Sequence, residues 1–512
     1  MKKISRRDFI KIAGVAAGAL ASRDYSFVGS KNDLPCIIVI VMDTLSARHM
    51  SLHGYSRLTT PNIDAFASSS TVYRNHYSGS NFTTTGTASM LTGMLPWKHR
   101  AINYGGLIQR KQTSVNPFSL IGDEYVRLAF TQNTWADHLL GQMSDQVDEF
   151  LSPLSYSMIE GSRIMRTFDH DRYLSSIAIT DYLLSMEGLG GVSPGSSVVG
   201  YINRSKVLNH SNALRNSSYP KGLPEAMSGI PYKNEEVYAG IGKEILRLNA
   251  NRQGFLSYFH LYSPHFPYRP RNDFKKLFND QFTPPSKAVH PYSFNLSEEY
   301  INTRRTLYDR LVAQIDEEFG KLLMSLKESG VMDNSYVIVT SDHGELFERG
   351  YFGHAGYLMY EGVLHIPLII HEPGQTQGQE IHALTSNTDL LPTLLSIAGK
   401  EIPSVIDGRP LPGFGGNVDE DRSIISMVGV DNSAFAPIKK AVFSIRKKEY
   451  KLIAYLGYDE IDRHFELYDL EDDPEELTDL SEKIPQTLLA LKDELYSYLD
   501  DANKDFMRQQ RE

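Results

Sequence analysis

A chain of 512 residues with a single cysteine, Cys36, has no means of forming an internal disulfide and no thiolate cluster for a metal. Long apolar runs are absent too. No segment beyond the N-terminus reaches the roughly 18 apolar residues that cross a bilayer, so no integral span and a soluble mature chain are expected. Positive charge is in deficit, with a net charge of −10, and no Lys/Arg cluster reads as a stripe for a phosphate backbone. This disfavours non-specific nucleic-acid binding, and no nucleic-acid partner is expected. Internal repeats and low-complexity tracts are also missing. What remains is a 41% hydrophobic chain long enough for one large domain with a smaller appendage.

The N-terminus has the anatomy of an export signal. "MKKISRRDFIKIAGVAAGALAS" opens with basic residues, continues through an apolar stretch too short to span a membrane, and closes on the small-residue pattern Ala19-Leu20-Ala21. The segment "SRRDFIK" resembles a twin-arginine signal, an address read by the twin-arginine export machinery. Residues 1–21 are accordingly expected to be a signal peptide, with the mature protein in the periplasm or outside the cell.

Downstream, apolar runs alternate with helical patterns. "CIIVIVMD" (36–43) is β-branched and continuous, as suits a strand covered on both faces. "VRLAFTQN" (126–133), "GFLSYFHL" (254–261), "SYVIVTSDHGE" and "HIPLIIHEPG" are further strands of this kind. "TTPNIDAFA" predicts a helix with Thr60 as N-cap and Pro61 at the first helical position. "TLYDRLVAQIDEEFGKLLMSLKESG" has helical period, with Gly330 as its stop, and "NTDLLPTLLSIAG" is another helix. The alternation predicts an α/β fold, a doubly wound and mostly parallel sheet flanked by helices, over residues 33–418. The Ser-, Gly- and Pro-rich residues 151–235 form an insertion in it. From 419 to 512 the pattern changes to a small antiparallel sheet followed by a helix near 486–499. The Thr-rich stretch "NFTTTGTASMLTGMLP" (81–96) is taken as a loop.

Ligands of open α/β sheets bind beyond the carboxyl ends of the strands. Two strands here end in polar groups, one at Asp43-Thr44 and one at Asp342-His343. Two carboxylates and an imidazole converging on one edge repel or desolvate badly unless a cation lies between them. A divalent metal is the natural reading of the set.

The segments "VMDTLSARHMSLHGYSRLTTPNIDAFA", "SMLTGMLPWKHR", "SPHFPYRP", "VIVTSDHGE", "FGHAGYLMYEGVLHIPLII", "NTDLLPTLLSIAG" and "FELYDLEDDPEELTDL" occur in order, and with them the chain resembles the sulfatase family of the alkaline-phosphatase superfamily. In that family the nucleophile stands ten positions before the Gly of the "LTG" turn. It is a Cys or Ser oxidised to formylglycine within Cys-x-Pro-x-Arg. Counting back from Gly93 reaches Thr83, in Thr83-Thr84-Thr85-Gly86-Thr87, so the Pro and Arg are missing as well. A secondary alcohol oxidises to a ketone and never to the aldehyde. The resemblance therefore implies Thr83 as a direct nucleophile, activated by the metal; Thr84 is a weaker second candidate and the remaining threonines fill the loop.

The resemblance also implies the metal ligands Asp43, Asp342 and His343, with Thr83 as the fourth. It favours a single Ca²⁺, with Mn²⁺, Mg²⁺ and Zn²⁺ as alternatives. Many family members carry a second aspartate where Thr44 stands. His265 matches a general acid near the leaving group, and His354 matches a residue contacting the anionic oxygens. His260 and Glu345 are expected to be supporting or structural. The usual active-site lysine after the strand near residue 130 is replaced by Thr131-Gln132-Asn133, where Asn133 offers a neutral donor. The acidic run "ELYDLEDDPEEL" is expected to be a solvated turn and helix start.

The expected function is a metal-dependent ester hydrolase acting on a small molecule or glycan. A phosphothreonine is hydrolysed by water at phosphorus, whereas a sulfothreonine lacks the aldehyde's release route, so the nucleophile leans toward phosphoric esters and diesters. A true sulfatase, a phospho-headgroup transferase and an inactive anion- or glycan-binding homologue are the alternatives.

Overall fold

A computed structural model describes residues 34–158 and 218–509 apart from 220, 227–228, 252 and 460–463, with single positions at 178, 195, 198 and 201. The signal-type segment at 1–21 lies outside the described residues, as does most of the 151–235 insertion.

The central sheet has eight strands. In chain order they are β1 (Cys36–Met42), β2 (Thr71–Tyr77), β3 (Val126–Thr131), β4 (Glu149–Phe150), β5 (Phe255–Leu261), β6 (Ser335–Thr340), β7 (Leu368–His371) and β8 (Gln379–Ser386). Their spatial order is β8-β2-β7-β6-β1-β5-β3-β4. All pairings are parallel except those of β7, which runs antiparallel to both β2 and β6. The expected doubly wound, mostly parallel sheet is thus observed.

β1 shows why its sequence is apolar at every position. Ile38, Ile40 and Met42 enter a core shared with helices α4 (Asn234–Ala250) and α5 (Glu298–Glu328). Ile37, Val39 and Val41 enter a second core on the opposite face, shared with α2 (Thr83–Thr92), α3 (Thr134–Gly141) and α6 (Leu390–Ile397). A strand buried on both faces has no solvent side to alternate toward. α5 begins before the expected stretch, at Glu298, where the Ser297 side chain accepts from the Tyr300 amide.

One local expectation is corrected. The stretch 81–96 is no loop: α2 occupies Thr83–Thr92, wholly buried, and ends at Gly93 in the left-handed region (φ +65°). Threonine is a weak helix former, but tertiary packing overrides propensity here. Gly86 is the contact point: a Cβ there would stand 2.4 Å from the Asp342 carbonyl oxygen, so only glycine lets α2 approach the loop after β6 so closely. The helix α1 (Pro61–Ala67) starts as expected, with Thr60 at the N-cap position and Pro61 first in the helix. The Thr60 hydroxyl donates to Asp64 in place of a side-chain cap bond. The free amides of Asn62 and Ile63 donate to Asp316 of α5.

The C-terminal part is an antiparallel sheet of β9 (Ser423–Val428), β10 (Ala441–Lys447), β11 (Tyr450–Leu456) and β12 (Phe465–Asp469), paired in sequence order. Leu491, Leu495 and Leu499 of α7 (Pro485–Gln509) pack on its Ile445, Leu452 and Leu467. The acidic run after β12 is not fully solvated as expected. Glu476 is buried, and Lys451 donates to it at 2.8 Å and to Glu361 at 2.9 Å.

Candidate active site

β1, β3, β5 and β6 run parallel, so their carboxyl ends meet at one edge, and α2 brings its N-terminus there. Asp43 follows β1, Asn133 follows β3, His260 is the penultimate residue of β5, Asp342 and His343 follow β6, and Thr83 opens α2. All six are fully buried.

The sequence-predicted residues Asp43, Thr83, Asp342 and His343 converge. The Thr83 Oγ1 lies 3.2 Å from His343 Nε2. That nitrogen is 3.7 Å from Asp43 Oδ1 and 3.5 Å from Asp342 Oδ2. His343 Nδ1 lies 2.9 Å from the Gly344 carbonyl, to which it must donate, so Nε2 presents a lone pair to the cluster. Asp342 Oδ1 accepts from the amides of His343 and Thr44, and Asp43 Oδ2 accepts from Asn133 Nδ2 at 2.6 Å. Asp43 Oδ1 and Asp342 Oδ2 are left without hydrogen-bond partners. Two buried carboxylates with unpaired oxygens turned inward make a site that fits a divalent cation.

His260 was expected to be supporting or structural, yet its Nε2 faces both carboxylates, 3.7 Å from Asp43 Oδ2 and 3.6 Å from Asp342 Oδ2. Its ligand atom and those of Asp43 and Asp342 all lie within 4.8 Å of one another. The signal for it was positional, since His260 is paired with Val41 near the end of the strand adjoining β1. Thr44 carries no carboxylate into the site. It adopts φ +65°, and its carbonyl accepts from the Tyr308 hydroxyl. Thr84 faces away, accepting from the Gly105 amide.

Electrostatics follow from burial and from these imidazoles. Burial alone would raise the Asp43 carboxyl, but His265, His260 and His343 outweigh it and hold the group well below the usual carboxylate range. Burial pushes His343, His265 and His354 down, toward the neutral form. For His260, burial is outweighed by Asp342 and Asp43, and its pKa rises. Glu345 is pushed up to about 7, chiefly by burial.

His265 and His354 complete the set. Their rings are 4.6 Å apart, and His354 lies 4.5 Å from the His343 ring. The Nδ1 of His265 is 2.6 Å from the Phe266 carbonyl, and that of His354 is 2.8 Å from Glu345 Oε1. Each Nδ1 is thereby engaged and each Nε2 is free for a ligand. Asn133 also has two tasks. Its Oδ1 accepts from the Trp135 and Ala136 amides as the cap of α3, while its Nδ2 reaches Asp43 and, at 3.2 Å, Thr83 Oγ1. Tyr104, stacked on Trp135 at 5.5 Å and edge-on to Phe82 at 5.0 Å, forms an aromatic wall that sequence reading missed.

Comparison with known proteins is consistent with this arrangement. The sequence model of the Sulfatase family matches residues 35–134 and 170–400, and that of the C-terminal part of N-sulphoglucosamine sulphohydrolase matches 347–504. Over 232 residues the chain is 32% identical to arylsulfatase K of Xenopus laevis, a match covering 42% of each sequence, so it spans less than half of that relative. Over 478 residues it is 25% identical to choline-sulfatase of Rhizobium meliloti (strain 1021), covering 88% of this chain and 82% of that one. The crystal structure of a phosphonate monoester hydrolase of Agrobacterium radiobacter has the same fold, with a TM-score of 0.63 at 19% identity, covering 91% of this chain and 96% of that one.

Proposed function

The chain belongs to the sulfatase family, and from that premise we propose that it is an exported, metal-dependent ester hydrolase that uses the Thr83 hydroxyl directly as nucleophile, with phosphoric esters and diesters as preferred substrates. The observation that carries this reading is the buried Thr83 hydroxyl, 3.2 Å from both His343 Nε2 and Asn133 Nδ2 at the head of α2. A divalent cation held by Asp43, Asp342, His343 and Thr83 would supply Lewis-acid charge, lowering the hydroxyl's effective pKa and offsetting the ester's negative charge.

The chain's own groups account for the remaining steps. With its hydroxyl proton released to solvent, Thr83 Oγ forms a bond to phosphorus as the bond to the leaving oxygen breaks, and His265, having taken a proton from solvent as the ester binds, delivers it from Nε2 to that oxygen. Burial keeps His265 neutral until a ligand arrives, and an anionic ester beside it supplies the charge that raises its pKa. Water then attacks the phosphothreonine phosphorus, its proton returns to His265, and the Thr83 oxygen departs. The anionic ester likewise raises the pKa of His354, and as an imidazolium it donates from Nδ1 to Glu345, which orients it, and from Nε2 to the non-bridging oxygens. Asn133 contributes a neutral donor where family members carry a lysine, which supports a substrate of lower charge, such as a diester.

The test is a panel of aryl sulfate, aryl phosphate and aryl phosphodiester on the purified protein, with acid quench and mass spectrometry of the peptide bearing Thr83. A phosphate adduct on Thr83 and turnover of the phosphorus esters are expected. Turnover confined to the sulfate ester, the substrate class in the names of the sequence relatives, would overturn the phosphoester preference. Full activity of Thr83→Ala would overturn the nucleophile.

A further inference from the structure

The position after Asp43, where many family members place a second carboxylate, is Thr44, and its side chain offers no charge to the site. His260 instead turns its Nε2 toward Asp43 and Asp342. We infer that His260 Nε2 is a ligand of the site's cation in place of that carboxylate, and that the resulting set of two imidazoles selects a borderline transition ion such as Mn²⁺, Co²⁺ or Zn²⁺ over Ca²⁺.

Three observations carry the inference. His260 is fully buried and its Nε2 has no hydrogen-bond partner. A buried polar atom left so costs about 1–3 kcal/mol unless something takes its lone pair. Its other ring nitrogen points away from the cluster, 3.4 Å from the Tyr258 hydroxyl, so only Nε2 is turned inward. The separations also agree. His260 Nε2 is 3.7 Å and 3.6 Å from the two carboxylates, and His343 Nε2 is 3.7 Å and 3.5 Å from the same pair. These gaps exceed hydrogen-bond length, and they lie at or just above the ~3.3–3.6 Å edges of a tetrahedral set with atoms ~2.0–2.2 Å from a shared centre.

The chemistry of the donors decides the ion. Asp43, Asp342, Thr83, His343 and His260 offer three oxygens and two nitrogens with two formal charges. Ca²⁺ takes six to eight oxygens, whereas imidazole suits the borderline transition ions. The alternative, an imidazolium bridging the two carboxylates in place of a metal, would need N–H···O contacts near 2.8 Å, and neither gap is that short.

The inference shares the cation with the proposed function but does not depend on Thr83 acting as nucleophile, so binding, not turnover, tests it. The full chain is stripped with a chelator and titrated calorimetrically with Mn²⁺, Zn²⁺ and Ca²⁺. Wild type is expected to bind the transition ions on the order of 100-fold more tightly than Ca²⁺. His260→Ala is expected to lose at least about tenfold in Mn²⁺ affinity, and His260→Asp to recover Ca²⁺ binding. Pulsed EPR of the Mn²⁺-loaded wild type needs no variant and should resolve two coordinated imidazole nitrogens. One nitrogen in that spectrum, preferential Ca²⁺ uptake, or unchanged Mn²⁺ affinity in a folded His260→Ala would overturn the inference. Absence of any metal binding would overturn both it and the metal-dependent function, whereas an inert Thr83 with intact binding would overturn only the latter.

Discussion

The hydroxyl of Thr83 lies 3.2 Å from Nε2 of His343, although 260 positions separate the two residues in the chain. The contact joins the first residue of α2 to the loop after β6 and makes residue 83 the hydroxyl at the centre of the carboxylate–imidazole cluster. Thr83→Ala is expected to lower kcat by on the order of 10⁴ or more, while Thr83→Ser, which keeps the oxygen, retains measurable turnover. Steady-state kinetics on the preferred ester checks both, with circular dichroism to confirm that α2 survives.

Asn133 links helix capping to the site, and its two roles can be separated. Asn133→Ser keeps a cap oxygen for the amides of Trp135 and Ala136 but is too short to reach Asp43. Its stability should stay within about 1 kcal/mol of wild type, while kcat/KM falls about 10–100-fold, the scale of a lost oriented donor. Asn133→Lys restores the charge common in the family and should raise monoester turnover relative to diester. Urea unfolding together with the ester panel reads both effects.

Glu345 acts through His354, holding its Nδ1 at 2.8 Å. Glu345→Ala is expected to reduce kcat by on the order of 100-fold with KM little changed, because the imidazole loses its fixed orientation. Glu345→Gln still presents an acceptor oxygen and should recover most of the loss. Equal damage from both variants would show that charge, and not orientation, is what Glu345 supplies.

These residues differ in how far the sequence revealed them. Asp43 and Asp342-His343 were legible because each ends an apolar strand, and parallel strands deliver their ends to one edge. Thr83 was legible only through its spacing from Gly93 in a family pattern, since threonine-rich segments read as loops. Its helix forms because Gly86 lets α2 pack on the Asp342 backbone, a contact between segments more than 250 residues apart. His260 was the hardest to place. Whether a histidine near a strand end faces a metal depends on which strand lies beside it, and sheet order is not written in local pattern. Glu476 was misjudged for the same reason: its neighbours in sequence are acidic and solvated, while its partner Lys451 comes from β11.

Lys451 is fully buried between Glu361 and Glu476. Burial alone would raise the Glu361 carboxyl, but Lys451, with His365 and Arg446, outweighs it and holds the group down to about 2. Lys451→Met removes the cation that bonds both buried carboxylates and leaves Arg446 and His365 to act on Glu361 and Lys287 on Glu476 only through space. It should destabilise the protein by about 3–5 kcal/mol, read as a lowered urea midpoint. Pairing it with Glu361→Gln should recover part of the loss, because one of the stranded charges is then gone.

Glu466 provides the acid limb of stability. It accepts from the hydroxyls of Tyr360 at 2.7 Å, Tyr468 at 2.5 Å and Tyr455 at 3.2 Å, with the His290 ring 3.4 Å away, so it ties β12 to the main domain. Burial would raise its carboxyl, but the hydrogen bonds from His290, Tyr468 and Tyr360 outweigh that and bring it down to about 2. An acid whose folded pKa is depressed contributes stability that is present above its unfolded value near 4.3 and lost as pH falls toward the folded one. The shift corresponds to about 3 kcal/mol, lost between roughly pH 4.5 and 2. Urea unfolding of wild type and Glu466→Gln at pH 7, 4 and 3 isolates this contribution as the difference between the two curves. Wild type should lead at pH 7, and its lead should shrink steadily with acid. A constant difference across that range would mean that the glutamate keeps an ordinary pKa and that the tyrosine cluster holds the interface by packing alone.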